Sequence, residues 1–242
     1  MGTLIESDKE AFKRMGRVYI DELISLPFMQ KDSSELAPLY DALSIQFLAL
    51  AHFFAIVKES EEDDLIGRIK APLALRSFIE TIANINYMIL NKEDHALINA
   101  YLSEAEHAVD DLYNSFRGTQ IRSRRNQWCT LSISRRIRIL QETAGSQPNL
   151  PLLYSYLSSF VHASPSHLNT SHIDYEKLYS LYYNGILLLL ISLDRILHDG
   201  DVIKKSLTIS SLAKIKLDQE KQKKQPSKKS IETFETIISH MQ

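Results

Sequence analysis

Two groups of polar side chains recur at helical spacing and could carry chemistry. Steps of three or four residues place side chains on one face of an α-helix. The first group lies at such steps between residues 76 and 87, and the second lies at steps of four between residues 154 and 162. If the two faces met, they would bring together groups that transfer protons and neutralise phosphate charge. The candidate catalytic residues are therefore Arg76, Glu80, Tyr154, Ser158 and His162.

The same groups have a second interpretation, in which they fix the register of packed helices. An unpaired buried charge costs several kcal/mol, so Arg76 and Glu80 would have to pair with each other or with a neighbouring helix. Asn84 and Tyr87 continue their face of the helix. A hydrogen-bonded network of this kind is common between long helices. The spacing alone leaves catalysis and a structural network both open.

Two stretches of the chain resemble an uncharacterised family of bacterial all-helical proteins. They are Leu73-Ala74-Leu75-Arg76-Ser77-Phe78-Ile79-Glu80, with Asn84 and Tyr87 after it, and the Tyr-x-x-Leu-Ser-x-x-Val-His-x-Ser helix end from Tyr154 to Ser164. Between these stretches the resemblance includes Trp128 with Ser132 and Arg135. The resemblance covers about residues 36–200. It implies an all-helical fold and no established activity.

A looser resemblance is to nucleotide-binding helical proteins, many of which are metal-independent ribonucleases of toxin and antiphage systems. Their signature is an arginine followed, after four to six residues, by a histidine. No histidine here follows an arginine at that spacing: Ser155, Tyr156 and Leu157 occupy those positions before His162. Arg76 would have to supply the missing arginine from another helix. By analogy, a role in a bacterial stress or antiphage system is expected.

A run of arginines without intervening acidic residues lies near the middle of the chain. Between Arg117 and Gln141 the sequence has no Asp or Glu. With the one tryptophan of the chain among them, these cations could bind a phosphate backbone and stack a base. They could equally pair with the acidic N-terminal half, within one chain or across a dimer, or bind another acidic partner. The candidate nucleic-acid-binding residues are Arg122, Arg124, Arg125, Arg135, Arg136, Arg138 and Trp128.

Other kinds of site have weaker support. His162, His167 and His172 recur every five residues, a step that makes side chains diverge around a helix. With one cysteine, Cys129, and no cluster of ligands, no metal site and no cofactor are expected. Ser158 and His162 would make a hydroxyl–imidazole pair, but the Gly-x-Ser-x-Gly turn that presents a nucleophilic serine is absent from the sequence.

Composition predicts the elements that must position these residues. The 242 residues include only seven Gly and seven Pro, with 44% hydrophobic and 24% charged residues, which favours helix. We predict an all-α fold, an antiparallel bundle of six to seven main helices over residues 1–200, and a basic, solvated tail over 201–242 with a possible terminal helix. The acidic N-terminus and an apolar run of only about eight residues from Ile186 predict a cytoplasmic chain outside the membrane.

Prolines and glycines set the expected helix ends. Pro27 should end a first helix that begins near Leu4, and Pro72 should mark the start of the third helix near Ala71. The second helix, apolar on much of its circumference, should be central. One continuous helix should run from Arg122 to Ala144.

Charge is divided unevenly along the chain. Residues 1–113 carry 10 Lys and Arg against 20 Asp and Glu, and residues 114–242 carry 18 against 10, so a net −10 precedes a net +8. We therefore expect a helical binding or assembly module that engages an acidic macromolecule, RNA or DNA among them. The alternatives are a metal-independent ribonuclease-like enzyme that uses His162, Arg76 and Glu80, and a structural homodimer whose unlike halves pair. The sequence identifies no small-molecule ligand.

Overall fold

A computed structural model describes most of the chain. The described residues are 13, 16–29, 36–60, 65–104, 128–144, 149–161 and 175–203, with the single positions 214, 217–218, 220–222, 225, 228, 231–232 and 235. Residues 95–104 are also helical, and the described residues contain no strand. The all-α class and the predicted number of helices are therefore confirmed. The six helices with defined bounds are α1 (Arg17–Met29), α2 (Ala37–Glu59), α3 (Leu65–Leu90), α4 (Ile133–Ala144), α5 (Leu150–Val161) and α6 (Tyr175–Asp199).

The central helix is α3, and the prediction that α2 would be central is wrong. Helix α3 packs against α2, α4, α5 and α6, whereas α2 packs mainly against α1 and α3 and also meets the 95–104 helix, where Gln46 donates to the Tyr101 hydroxyl. Ile45 and Leu48 on α2 are 40% and 58% exposed. Helix α3 exposes apolar side chains as well, at Ile66, Ile69 and Leu90, so the neighbours of each helix and not its apolar circumference decide which one is central.

Neither proline ends or begins a helix where the sequence predicted. Pro27 lies in the last turn of α1, where the missing amide costs one hydrogen bond and the helix ends two residues later. Pro72 lies inside α3, which begins at Leu65. Ala71 and Pro72 are both buried, and this packing compensates for the backbone hydrogen bond that the proline removes.

Helix α4 is shorter than predicted, because residues 128–132 are not helical. Side chains bond the backbone of this segment in place of helical hydrogen bonds. The amide of Leu131 donates to the Cys129 sulfur at 3.3 Å, and Ser132 caps α4 by accepting the amide of Arg135 at 3.3 Å. The single predicted helix from Arg122 to Ala144 is therefore wrong over its middle part, and residues 122–127 lie outside the described residues.

Helix α6 ends in a turn that returns the chain to the core. Val202 donates its amide to the carbonyl of Leu197 at 2.8 Å, and Asp201 has a positive φ of 59°. A side chain on Gly200 would collide with Ile89, because an added Cβ would lie 2.3 Å from the Ile89 Cγ2. Val202 and Ile203 are buried.

The predicted solvated tail contains residues that contact the bundle. Leu217 packs against the hydrophobic core, and Glu220 is 8% exposed. Lys221 pairs with Glu235 at 2.9 Å. This part of the chain is therefore not wholly surrounded by solvent.

Two described helices are long and apolar enough to cross a membrane by length and composition alone. They are Ala37–Glu59 and the segment Leu181–Asp199. Buried core helices pass the same test, and 67% of the apolar window in the second segment is buried inside the bundle. The expectation of a cytoplasmic, membrane-free chain stays a prediction.

Candidate functional site

Helices α4 and α5 form a hairpin that carries most of the candidate residues. Gln141 on α4 accepts the amide of Leu150 at 2.7 Å, which ties the first residue of α5 to α4. Asn149 caps α5 by accepting the amide of Leu152 at 3.1 Å. Both helices also pack on α3. Side chains on the inner faces of the hairpin consequently meet the polar face of α3.

Four of the five candidate catalytic residues lie in contact, and we call them the Arg76 cluster: Arg76, Glu80, Tyr154 and Ser158. Arg76 pairs with Glu80, with Nη2 and Oε1 2.8 Å apart. The same guanidinium donates to the Tyr154 hydroxyl at 2.8 Å and, through Nε, to the Ser158 hydroxyl at 3.1 Å. Tyr154 in turn donates to Glu80 at 2.7 Å. The predicted meeting of the two polar faces is present at these residues.

The Arg76 cluster is neither sealed nor fully solvated. The side chains of Arg76 and Glu80 are 26% and 28% exposed. Burial raises the pKa of Tyr154 above its ordinary value of 10.0, and the hydrogen bond to Glu80 and the negative charge of Glu80 raise it further, while Arg76 opposes them. The guanidinium also lies 5.1 Å from the centre of the Tyr154 ring. Tyr154 therefore stays neutral near neutral pH and holds both charged neighbours in place.

An open cleft lies between α4 and α5 beside this cluster, and we call it the α4–α5 cleft. Its volume is about 350 Å³. The described residues that line it are Ser134, Ile137, Arg138, Pro151, Tyr154, Ser155 and Ser158. No carboxylate belongs to this set, and Tyr154 and Ser158 belong to the Arg76 cluster as well. The cleft thus joins hydroxyl groups, one arginine and an apolar wall.

The arginines of α4 point in two directions. Arg135 and Arg138 are exposed, and neither forms an ion pair with another described residue. Arg136 turns inward, where it donates to the amide oxygen of Asn84 and lies 4.9 Å from the centre of the Trp128 ring. Arg136, Asn84 and Trp128 are here called the Arg136 cluster. Two of the three α4 arginines consequently face solvent and can meet a partner.

Trp128 packs among protein groups. Its ring centre lies 6.0 Å from that of Tyr87 and 5.1 Å from that of Tyr101, both edge-on. Its backbone amide donates to Glu104 at 2.8 Å. The predicted base-stacking residue is therefore partly buried against the core, with Arg136 beside its ring.

Several predicted site residues lie outside the described residues. They are His162, which directly follows the end of α5 at Val161, and Arg122, Arg124 and Arg125. His167 and His172 are outside the described residues too. Within the described ranges, no group of three or more His, Cys, Asp or Glu side chains is placed to hold a metal ion.

Sequence reasoning missed two serines of the cleft, Ser134 and Ser155. Both are exposed, and neither forms a side-chain hydrogen bond with another described residue. Ser155 lies one residue after Tyr154, which places it on a different side of α5 from the polar face that the spacing revealed. The helical spacing of Ser134 and Arg138, four residues apart in the basic run, was the available signal.

Comparison of the chain with protein-family models, with curated proteins and with solved structures found no match in any of the three.

Proposed function

We propose that this protein binds single-stranded nucleic acid, with the outward face of α4 and the adjoining cleft as the contact surface. The observation that carries the proposal is the pairing of two exposed arginines, Arg135 and Arg138, with a cleft whose described lining contains no carboxylate. Neither arginine forms an ion pair with another described residue, and phosphate groups attract such cations.

The surrounding structure supports a binding surface with a fixed shape. Arg138 both faces solvent and lines the α4–α5 cleft. The hairpin that carries it is held by Gln141 at one end and by the Arg76 cluster along α5. A rigid scaffold reduces the entropy lost when a flexible strand binds. A duplex lacks the unstacked nucleotides that a narrow cleft accepts, so a single strand is the better fit.

The test is the salt dependence of binding to fluorescently labelled single-stranded RNA of about 12 nucleotides. Fluorescence anisotropy at about 50 to 200 mM salt should show an affinity that falls as salt rises. Arg135→Glu/Arg138→Glu should weaken binding at least about tenfold. The slope of the logarithm of the binding constant against the logarithm of the salt concentration should become shallower by about 1.4 in this double variant. Each phosphate contact to a single strand contributes about 0.7 to that slope, and two contacts are lost.

A charge-matched control keeps this result specific. Arg17→Glu/Lys58→Glu makes the same change in net charge on α1 and α2, neither of which supplies a described residue to the lining of the α4–α5 cleft. This control should leave affinity within about twofold. An equal loss in both double variants, or no binding by the natural chain, would contradict the proposal. A halved mass in light scattering after Arg135→Glu/Arg138→Glu would instead indicate that unlike halves pair in a homodimer.

A second candidate function, cleavage of a phosphodiester bond, is favoured by the position of the Arg76 cluster at the cleft. Tyr154 and Ser158 belong to both, and α5 ends directly before His162. In this proposal His162 transfers the proton and Arg76 neutralises phosphate charge. Bound RNA should then be cut in the presence of a metal chelator. His162→Ala should stop cleavage of the RNA without weakening its binding. The control His95→Ala removes an exposed histidine at the start of the 95–104 helix and should change neither cleavage nor binding.

A further inference from the structure

The α4–α5 cleft carries hydroxyl groups on both of its walls. Ser134 stands on α4, and Ser155 and Ser158 stand on α5. Ile137 and Pro151 make the apolar part of the lining. A volume of about 350 Å³ is near the lower end of small-molecule sites, which span about 300–1,000 Å³. This space suits one nucleotide and is too small for a folded segment of nucleic acid.

The three serines of the cleft differ in the hydrogen bonds that their hydroxyl groups make with described residues. Ser158 donates its hydroxyl hydrogen to the carbonyl of Tyr154 at 2.8 Å and accepts from Arg76 at 3.1 Å. Its orientation is therefore fixed by the protein. Ser134 and Ser155 are exposed and make no side-chain hydrogen bond with another described residue, so no described group occupies the one donor and two acceptor positions of each hydroxyl.

We infer that the cleft receives one ribonucleotide of a bound RNA strand and recognises its 2′-hydroxyl through Ser134 and Ser155. This inference rests on the proposed function. A ribose hydroxyl both donates and accepts, and it therefore matches serine hydroxyls that can do the same. Arg138, which lines the cleft and faces solvent, takes the adjoining phosphate. The 2′-hydroxyl is the group by which a protein distinguishes RNA from DNA.

The experiment compares three probes of one base sequence: RNA, DNA and 2′-O-methyl RNA. Anisotropy should show RNA bound about 5- to 10-fold more tightly than DNA, the effect of one or two hydrogen bonds. The 2′-O-methyl RNA keeps the sugar of RNA but loses the hydroxyl donor, so it should bind no better than DNA. Ser134→Ala/Ser155→Ala should bring the ratio of RNA to DNA affinity close to one, because RNA loses more affinity than DNA.

Controls separate recognition from loss of fold. Alanine is a better helix former than serine, so the double variant should remain folded, as circular dichroism would show. Ser25→Ala removes another exposed serine, on α1, whose hydroxyl donates to the carbonyl of Glu22, and should leave the ratio unchanged.

Each outcome has a definite meaning. Equal affinity of the natural chain for RNA and DNA would overturn the inference and leave nucleic-acid binding intact. Tight binding of 2′-O-methyl RNA, or a preference for RNA that survives in Ser134→Ala/Ser155→Ala, would also overturn it. Binding of none of the three probes would refute the proposed function, and the inference with it.

Discussion

Within the described part of the bundle, Arg76 and Arg136 both turn inward, and they meet different partners. Arg76 lies between α3 and α5, where it meets a carboxylate and two hydroxyl groups. Arg136 lies between α3 and α4, where it meets the neutral amide of Asn84 and the ring of Trp128. The Nε atom of Arg136 is buried with no hydrogen-bond partner among the described residues.

The different partners of Arg76 and Arg136 determine how charge is distributed around the cleft. In the Arg76 cluster, Glu80 balances the guanidinium, so the floor beside the cleft is close to neutral. In the Arg136 cluster no carboxylate of a described residue contacts the guanidinium, whose positive charge stands on the same helix as those of Arg135 and Arg138. Among the described residues around the cleft, the arginines without a carboxylate contact therefore lie on α4, while the Arg76 cluster holds α5 against α3.

The largest effect should follow removal of the balanced arginine. Arg76→Ala leaves Glu80, Tyr154 and Ser158 without their shared donor. Stranding one partner of a fully buried pair costs about 3–5 kcal/mol. Since about a quarter of each charged side chain is exposed, we expect a loss of about 2–3 kcal/mol in the free energy of unfolding, measured with urea.

The matched control is Arg195→Ala. Arg195 also pairs with a carboxylate four residues later, Asp199 at 3.3 Å, but both side chains are more exposed, at 40% and 56%. That pair should contribute no more than about 0.5 kcal/mol. A loss in Arg76→Ala no greater than in Arg195→Ala would show that the Arg76 cluster does not hold α5 on α3.

A smaller effect should follow removal of the unbalanced arginine. Arg136→Ala removes the hydrogen bond to Asn84 and the cation–π contact with Trp128, but it leaves no described carboxylate without its partner. We expect a loss of about 1–2 kcal/mol. Because Trp128 is the one tryptophan in the chain, its fluorescence emission should change in Arg136→Ala and stay unchanged in Arg76→Ala. The reverse pattern would contradict the assignment of these two arginines to separate clusters.

The sequence predicted one of these clusters much better than the other. Arg76 and Glu80 stand four residues apart, as do Tyr154 and Ser158, and a helical period of 3.6 residues makes both pairs recognisable from their spacing alone. The same reasoning treated Arg135, Arg136 and Arg138 alike. Which of them turns inward depends on where α4 begins, and the side chains of Cys129 and Ser132 set that start through local hydrogen bonds.

The fold, like the two clusters, could be predicted from the sequence only in part. Apolar periodicity predicted the helices, because an amphipathic face must be buried. It did not predict which helix is central, since α2 is more uniformly apolar than α3 yet packs against fewer of the helices with defined bounds. The spacing of residues within α3 does not predict that its polar side chains bond to residues on both α4 and α5. Pro72 likewise lies within α3 because tertiary packing outweighs the local preference.

The smallest effect concerns the hydroxyl at the centre of the Arg76 cluster. Tyr154→Phe should cost about 1 kcal/mol near neutral pH, because it deletes bonds to Arg76 and Glu80. Burial, and then Glu80, raise the pKa of Tyr154 above 10.0, so the folded state holds this proton more tightly than the unfolded state. The stability that the proton contributes is therefore complete below pH 10 and is lost as pH rises through the folded pKa.

The free energy of unfolding above pH 10 compares the Arg76 cluster with the Arg136 cluster. Tyr87, beside Trp128, also has a raised pKa, through burial and then Cys129, and the charge of Arg136 lowers it. Glu80→Gln should lower the pKa of Tyr154 and make the fall in stability above pH 10 less steep, whereas it should leave the Tyr87 contribution unchanged. Urea unfolding of Glu80→Gln, Tyr154→Phe and Tyr87→Phe over this range separates the contributions. An alkaline slope that Tyr87→Phe reduces and Glu80→Gln leaves intact would assign the titration to the Arg136 side of the bundle.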